Sequence, residues 1–435
     1  MINNKLIALV VMSVVSFGAS ATNGYFMIGY GAKSIGLGGA GVAFPQDRLV
    51  GAISPAAMAH VDDGWDGGLR VLAAIRNGSV DCRGIFACDQ VVKDRSARDL
   101  FMIPNFSWKR QLSEQFSAGV TMYGNGGINT TYGRSFYNEA GARILGGTPG
   151  SPGFPRTGKF GVDFSQLFIA PSIAWQVHPS HTLGVSPIMA IQRFSIRGFE
   201  NFAALSSDPT STSSRGTDYK LGGGFRVSWL GEMHSSLRLG AQYTSRMWTK
   251  DHTKYNGLLA DGGDMDAPPH WTVGFAWDAT QQLTLVFDFQ RILFGSIDAL
   301  SNPGPSAAEL TGIISPDRRL GASNGIGFGW NDQSVFKLGA NYKYNDALTL
   351  RVGWNHGSSQ IPNREALINI VAPATINDHG TLGASWQFGQ VGELSLAYMY
   401  AFKKTNHDRS SEFFGTAVRH SIYEHSIDVS WSRDY

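Results

Sequence analysis

Cys82 and Cys88 are the only cysteines in the chain, with five residues between them. In an oxidising compartment such a pair closes a small loop as a disulfide. The alternative is half of a metal site, but no C-x2-C pair or histidine cluster supplies the other half. The eleven histidines form no H-E-x-x-H pattern, and His178 with His181 falls at an expected tight turn. No G-x-S-x-G elbow frames a serine. A lipid enzyme with a dispersed triad is the one catalytic option left, and no catalytic residue is assigned. Gly36-Leu37-Gly38-Gly39-Ala40-Gly41 fits G-x-G-x-x-G, and Asp62 follows about twenty residues on. A dinucleotide fold needs a strand before that run and a helix after it. Pro45, Gly51 and Pro55 break the helix, so the glycines read as close packing against another element. No cofactor and no metal are expected.

The elements around these residues follow from composition. Glycine contributes 53 of 435 residues, aromatics 12% and charged residues only 16%. A soluble domain carries about 25% charge and about 7% glycine. Net charge is +2, which leaves no basic excess for a nucleic-acid surface. Lys5, the apolar run Leu6 to Phe17 and the A-x-A site Ala19-Ser20-Ala21 read as an export signal covering 1–21, cleaved between Ala21 and Thr22. An uncleaved anchor helix is the competing reading, and the run is short for a span.

Beyond the leader the apolar period is two, not 3.6. Leu283, Leu285, Phe287 and Phe289 alternate with Thr284, Asp288 and Gln290. Leu350, Val352 and Trp354 alternate with Arg351, Gly353 and Asn355, which turns Arg351 away from the apolar face. Fourteen strands are expected near 64–76, 98–110, 115–126, 163–177, 181–197, 216–230, 234–249, 269–278, 281–292, 335–345, 347–357, 378–388, 393–404 and 419–435. Their connections alternate long and short, aromatics gather near strand ends, and Tyr435 ends the apolar face. This is the pattern of an all-β, 14-stranded antiparallel transmembrane β-barrel spanning 64–435. Residues 22–63 are small and broken by prolines, and irregular backbone cannot face lipid. They are expected inside the barrel as a small N-terminal luminal plug.

Several segments carry a family resemblance. Thr22-Asn-Gly-Tyr-Phe26, Gly29-Tyr-Gly-Ala-Lys-Ser34 and Gly38-Gly-Ala-Gly-Val-Ala43 resemble the mature N-terminus of the FadL/TodX family of outer-membrane transporters for long-chain fatty acids and aromatic hydrocarbons. Ser54-Pro55-Ala56 stands where that family's plug has Asn-Pro-Ala. Tyr123-Gly124, Phe336 to Ala340, Leu350 to Gly353, Ser359 to Pro362, Asp378-His379 and Thr381 to Gly383 resemble its barrel segments.

The resemblance implies a ligand pocket lined by Tyr25, Phe26, Met27 and Ile28, with Arg193, Arg197 and Arg351 as candidate luminal cations. It implies a lateral opening at Gly124, Gly126 and Gly127, and a monomer. Ordinary plug packing, a plain strand end and pore-lining ion pairs are the competing roles for these residues. Phe136, Tyr137, Ile144, Leu145 and Phe154, joined by Phe199 and Phe202, are expected to form an external apolar landing groove. No TonB-box-like segment is visible. The expected function is passive import of a hydrophobic small molecule. The expected partners are outer-membrane lipid, lipopolysaccharide and the outer-membrane assembly machinery. A general porin or structural barrel is the alternative.

Overall fold

The computed structural model describes residues 23–151 and 158–435. The export signal, its Ala21/Thr22 junction and Phe154 lie outside the described residues. Fourteen antiparallel strands close into a barrel. They are β1 Gly64–Asp81, β2 Leu100–Gln111, β3 Phe116–Asn129, β4 Gly161–His178, β5 His181–Arg197, β6 Asp218–His234 and β7 Leu237–Thr244. The second half is β8 His270–Asp278, β9 Leu283–Ile292, β10 Gln333–Lys343, β11 Leu348–Gly357, β12 Asp378–Gln387, β13 Glu393–Asp408 and β14 Ala417–Asp434. Each strand pairs with its sequence neighbour, and β1 pairs with β14 from Gly64↔Asp434 to Asp81↔Ala417. Closure joins the first strand to the last, so neither is left as the edge of an open sheet.

The sheet is apolar outside and polar inside. On β11, Leu350, Val352 and Trp354 are exposed while Arg351 and Asn355 are buried. On β14, Ile427 and Val429 are exposed while Asp428 and Ser430 are buried. In water that arrangement would leave a continuous apolar band uncovered, so the band's solvent is lipid. Short turns at 112–115, 179–180, 235–236, 279–282, 344–347 and 388–392 close one end. Long connections close the other and pack into an apolar cap that includes Phe136, Phe160, Phe199, Phe294 and Trp330.

Several elements depart from the sequence expectation, with β1 running to Asp81 rather than 76, β6 to His234 rather than 230 and β13 to Asp408 rather than 404. The seventh strand stops at Thr244 rather than 249, and Trp248–Thr249 folds back onto Gly222 and Gly223 of β6. An additional short strand, Val91–Arg95, extends the outer end of β1. Both lie where the wall meets the cap, so the hydrophobic band no longer dictates alternation there.

Residues 23–63 run through the interior and bond to side chains around the wall. Gly41 N and Val42 N donate to Asp288 Oδ2 at 2.8 and 3.1 Å. Gly38 N donates to Thr381 Oγ1 at 3.0 Å, Ala32 N to Ser430 Oγ at 3.1 Å and Ala56 N to Ser228 Oγ at 2.8 Å. Arg226 Nη1 donates to Gly51 O at 3.2 Å. These luminal groups satisfy a backbone that forms little regular structure of its own. The glycine run fits this close approach. A Cβ on Gly38 would stand 2.7 Å from Trp354 O.

Candidate functional site

The site is built where the interior segment meets the outer half of β3. Phe26 bridges to Gly126. Met27 N donates to Asn125 O at 3.1 Å, and Gly127 N donates to Tyr25 O at 3.0 Å. The approach requires glycine, since a Cβ at Gly126 would lie 1.7 Å from Tyr25 O. Tyr25 stacks on Phe26 at 5.0 Å and meets Phe164 and Phe294 edge-on at 5.2 and 5.7 Å. Phe26 meets His270 at 5.3 Å. Aromatic pairs of this kind contribute about 0.5–1.5 kcal/mol each beyond area burial. Burial pushes the Tyr25 phenol well above its ordinary pKa, so the ring is a neutral wall. Met27 and Ile28 belong to a second apolar cluster with Leu72, Phe101, Ile103 and Met399. Arg70 fixes this end of the segment by donating to Asp428 Oδ1 at 2.7 Å, Gly29 O at 3.1 Å and Met27 Sδ at 3.0 Å.

The wall beside this segment has a window. β1 holds β2 as far up as Ala73↔Leu100, and β4 holds β3 as far up as Asn129↔Asp163. β2 and β3 pair with each other only from Gln111↔Ser117 to Asn105↔Tyr123. Above that point Leu100–Pro104 and 124–129 run on without bonding to one another. The rim closes again where Ala97 N donates to Thr131 O at 2.8 Å and Thr131 N to Ser96 Oγ at 3.1 Å. Two sequence features make the gap. Pro104 offers no N–H. A bulge between Gly124 and Gly126 inserts Asn125, whose side chain turns inward to Tyr30 and Gln166. The backbone groups that β2 would have paired are met instead by Tyr25 and Met27. Leu100 and Met102 face outward, while Phe101 and Ile103 face inward, so the β2 rim is apolar on both sides.

The predicted cations distribute differently. Arg193 and Arg197 lie on the outward face of β5, opposite buried Gln192, Phe194 and Ile196, so they are not luminal. Arg193 pairs with Asp163, which also accepts from Arg98 at 2.8 Å. The physical reason is that the interior becomes apolar at the cap, so polar residues turn outward above the lipid band. Arg351 does face inward, but it donates to Gln46 Oε1 and Ser385 Oγ at 2.8 and 2.7 Å near the short-turn end. It lies away from residues 25–28.

The landing groove is also corrected. Phe136, Tyr137, Ile144, Phe199 and Phe202 are buried in the cap, and of the described members only Leu145 is exposed. Ser54-Pro55-Ala56 rests against β5, and a Cβ on Gly184 would stand 2.1 Å from Ala56 N. Ser54 Oγ is buried with no hydrogen-bond partner among the described residues. Cys82 and Cys88 are disulfide-bonded in the first external connection.

Sequence reasoning missed Arg48, Arg70, Asn125 and Arg226. Arg70 and Arg226 fall on inward positions of their strands, a signal that alternation carries. Arg48 opens a short 3-10 turn in the interior segment and Asn125 sits at a bulge, so neither leaves a periodic trace.

A closed barrel with an apolar exterior, an occupied interior and a window in its wall defines an outer-membrane β-barrel of the transport class. The chain belongs to the outer membrane protein transport family described as OMPP1/FadL/TodX, whose family model matches residues 13–417. It resides in the outer membrane. The fold is similar to that of the Pseudomonas putida toluene transporter TodX, with a TM-score of 0.69 at 17% identity over 94% of this chain and 99% of that one. It is similar to a Pseudomonas aeruginosa FadL homologue, with a TM-score of 0.66 at 16% identity over 94% and 99%. The Ralstonia pickettii toluene transporter TbuX gives a TM-score of 0.61 at 16% identity over the same shares. A search of curated proteins returned no match.

Proposed function

We propose that this protein imports hydrophobic small molecules passively, long-chain fatty acids or aromatic hydrocarbons, and releases them sideways into the bilayer. The carrying observation is the window between β2 and β3, lined inside by Phe101 and Ile103 and backed by Tyr25, Phe26 and Met27. An apolar solute in that path gains roughly 25 cal/mol per Å² of area removed from water. Polar lipopolysaccharide obstructs the same solute outside. Residues 22–63 act as the plug, with Ser54, Pro55 and Ala56 seating it on the wall. Tyr25 to Ile28 line the ligand path, and Gly124, Gly126 and Gly127 shape the lateral exit. The role is transport without catalysis. The closed sheet works as a monomer, held in outer-membrane lipid and lipopolysaccharide after insertion by the assembly machinery.

Deleting Asn125 removes the bulged residue, puts β3 in continuous register with β4 and straightens its outer half beside β2. Uptake of oleate or toluene, in a strain lacking its own importer, is expected to fall at least tenfold at equal surface level. Gly124→Leu, whose side chain would press on Ile103, is expected to act in the same direction. Unchanged uptake in both variants would rule out the lateral exit. Entry of a short polar sugar would favour a porin.

A further inference from the structure

Just inside the upper corner of the window lies a polar pair that the import path itself does not require. Arg76 on β1 and Glu424 on β14 both face inward and are 1% and 0% exposed. Arg76 Nη2 and Glu424 Oε1 stand 3.9 Å apart, too far for a direct hydrogen bond. Arg76 Nη1 donates to the carbonyls of Ala74 and Arg98, both at 3.3 Å. Arg76 Nη2 and both Glu424 oxygens have no hydrogen-bond partner among the described residues. The pair borders the second apolar cluster, with Ala74, Phe101 and Ile422 beside it, and the guanidinium stands 5.4 Å over the Phe101 ring.

Buried polar groups without partners are rare in folded proteins, and such a group calls for a ligand or a water. Here one side offers a donor, the other an acceptor, and the surroundings are apolar. Resting on the import reading above, we infer that Arg76 and Glu424 form a head-group subsite for a neutral hydrophobic molecule bearing one hydroxyl. The hydroxyl would donate to Glu424 and accept from Arg76, while its ring or chain lies along Phe101 and Ile422. The 3.9 Å gap between Arg76 Nη2 and Glu424 Oε1 suits one oxygen that donates to one side and accepts from the other, as the hydroxyl of an aromatic or aliphatic alcohol does.

The test measures binding of 2-naphthol and of naphthalene to the purified full-length protein in detergent, beside uptake of naphthalene by cells expressing it. The quantity read is the ratio of the two affinities. The wild type is expected to favour 2-naphthol, and Glu424→Gln to reduce that preference by up to roughly tenfold, the scale of one buried hydrogen bond. The double variant Arg76→Met with Glu424→Leu removes both polar side chains at once, a paired replacement that buried sites often tolerate in stability. It is expected to abolish the preference, with heat-modifiable gel mobility reporting an intact barrel. A ratio unchanged in the double variant would overturn the subsite, and so would no preference in the wild type, the result expected if a water fills the gap. Naphthalene uptake by the wild type with an unmoved ratio sinks the subsite alone. Absence of uptake of naphthalene, toluene and oleate alike with a variant-sensitive ratio sinks the importer and leaves the subsite standing.

Discussion

Single side chains in the external cap show how burial sets charge. His252, in the connection between β7 and β8, shares a hydrogen bond with Gln192 at 2.9 Å and stands 3.5 Å from Asp218. Burial holds its pKa down to about 4, with Asp218 opposing and Lys220 pushing the same way as burial. The folded loop therefore keeps a neutral ring at pH values where an unfolded loop takes a proton. Its contribution to stability is full above the ordinary histidine value of about 6.5 and is lost as pH falls through that value toward 4. Hydrogen exchange of residues 251–263, corrected for intrinsic rates, should accelerate between pH 7 and pH 4.5. The expected loss of local stability is on the order of 2–3 kcal/mol. His252→Gln should flatten the response. Equal protection at both pH values would mean that the ring is not excluded from protonation. Arg193 and Arg197 carry the complementary lesson. The family resemblance places their side chains in the lumen, yet strand parity in the apolar cap sends them outward.

Elements were readable where lipid imposes a period. β5, β9 and β11 follow the sequence expectation closely, because one face must be apolar along their whole length. The alternation of short and long connections fixed strand order for the same reason. The window was less readable. A bulge changes parity by one residue, and Asn125 looks in sequence like any polar position on a strand. The seating of Ser54-Pro55-Ala56 depends on a wall glycine nearly 130 residues away, which no local pattern signals. That contact gives a direct test. Gly184→Val would drive a side chain into the backbone of Pro55 and Ala56. Overpacking of this kind costs about 1–3 kcal/mol. The heat-modifiable transition of the purified barrel should shift to lower temperature, whereas Gly158→Ala, with open space around it, should leave it in place. Equal transitions would mean that the interior segment yields without cost at this point.

Across the whole barrel, the interior segment is tied most firmly at the short-turn end, on the seam where the sheet closes. Arg48 Nη1 donates to Asp66 Oδ1 of β1 at 3.1 Å, its Nη2 pairs with Asp434 of β14, and its Nε donates to Asp62 O at 2.9 Å. Lys33 pairs with Glu393 at 2.6 Å nearby. Asp66 is fully buried, so losing Arg48 would strand a charge, a change worth about 3–5 kcal/mol. This anchor bears on the route of release. If solute leaves through the wall, the base of the barrel never needs to open. Arg48→Met paired with Asp66→Leu loosens the anchor without leaving a lone buried carboxylate. In a planar bilayer the wild type should pass little ionic current, and the double variant should pass more. Uptake of toluene by cells should not rise in parallel, because the window is unchanged. A matched rise in current and uptake would instead assign release to the base of the barrel. It would make the gap between β2 and β3 a feature of wall packing rather than an exit.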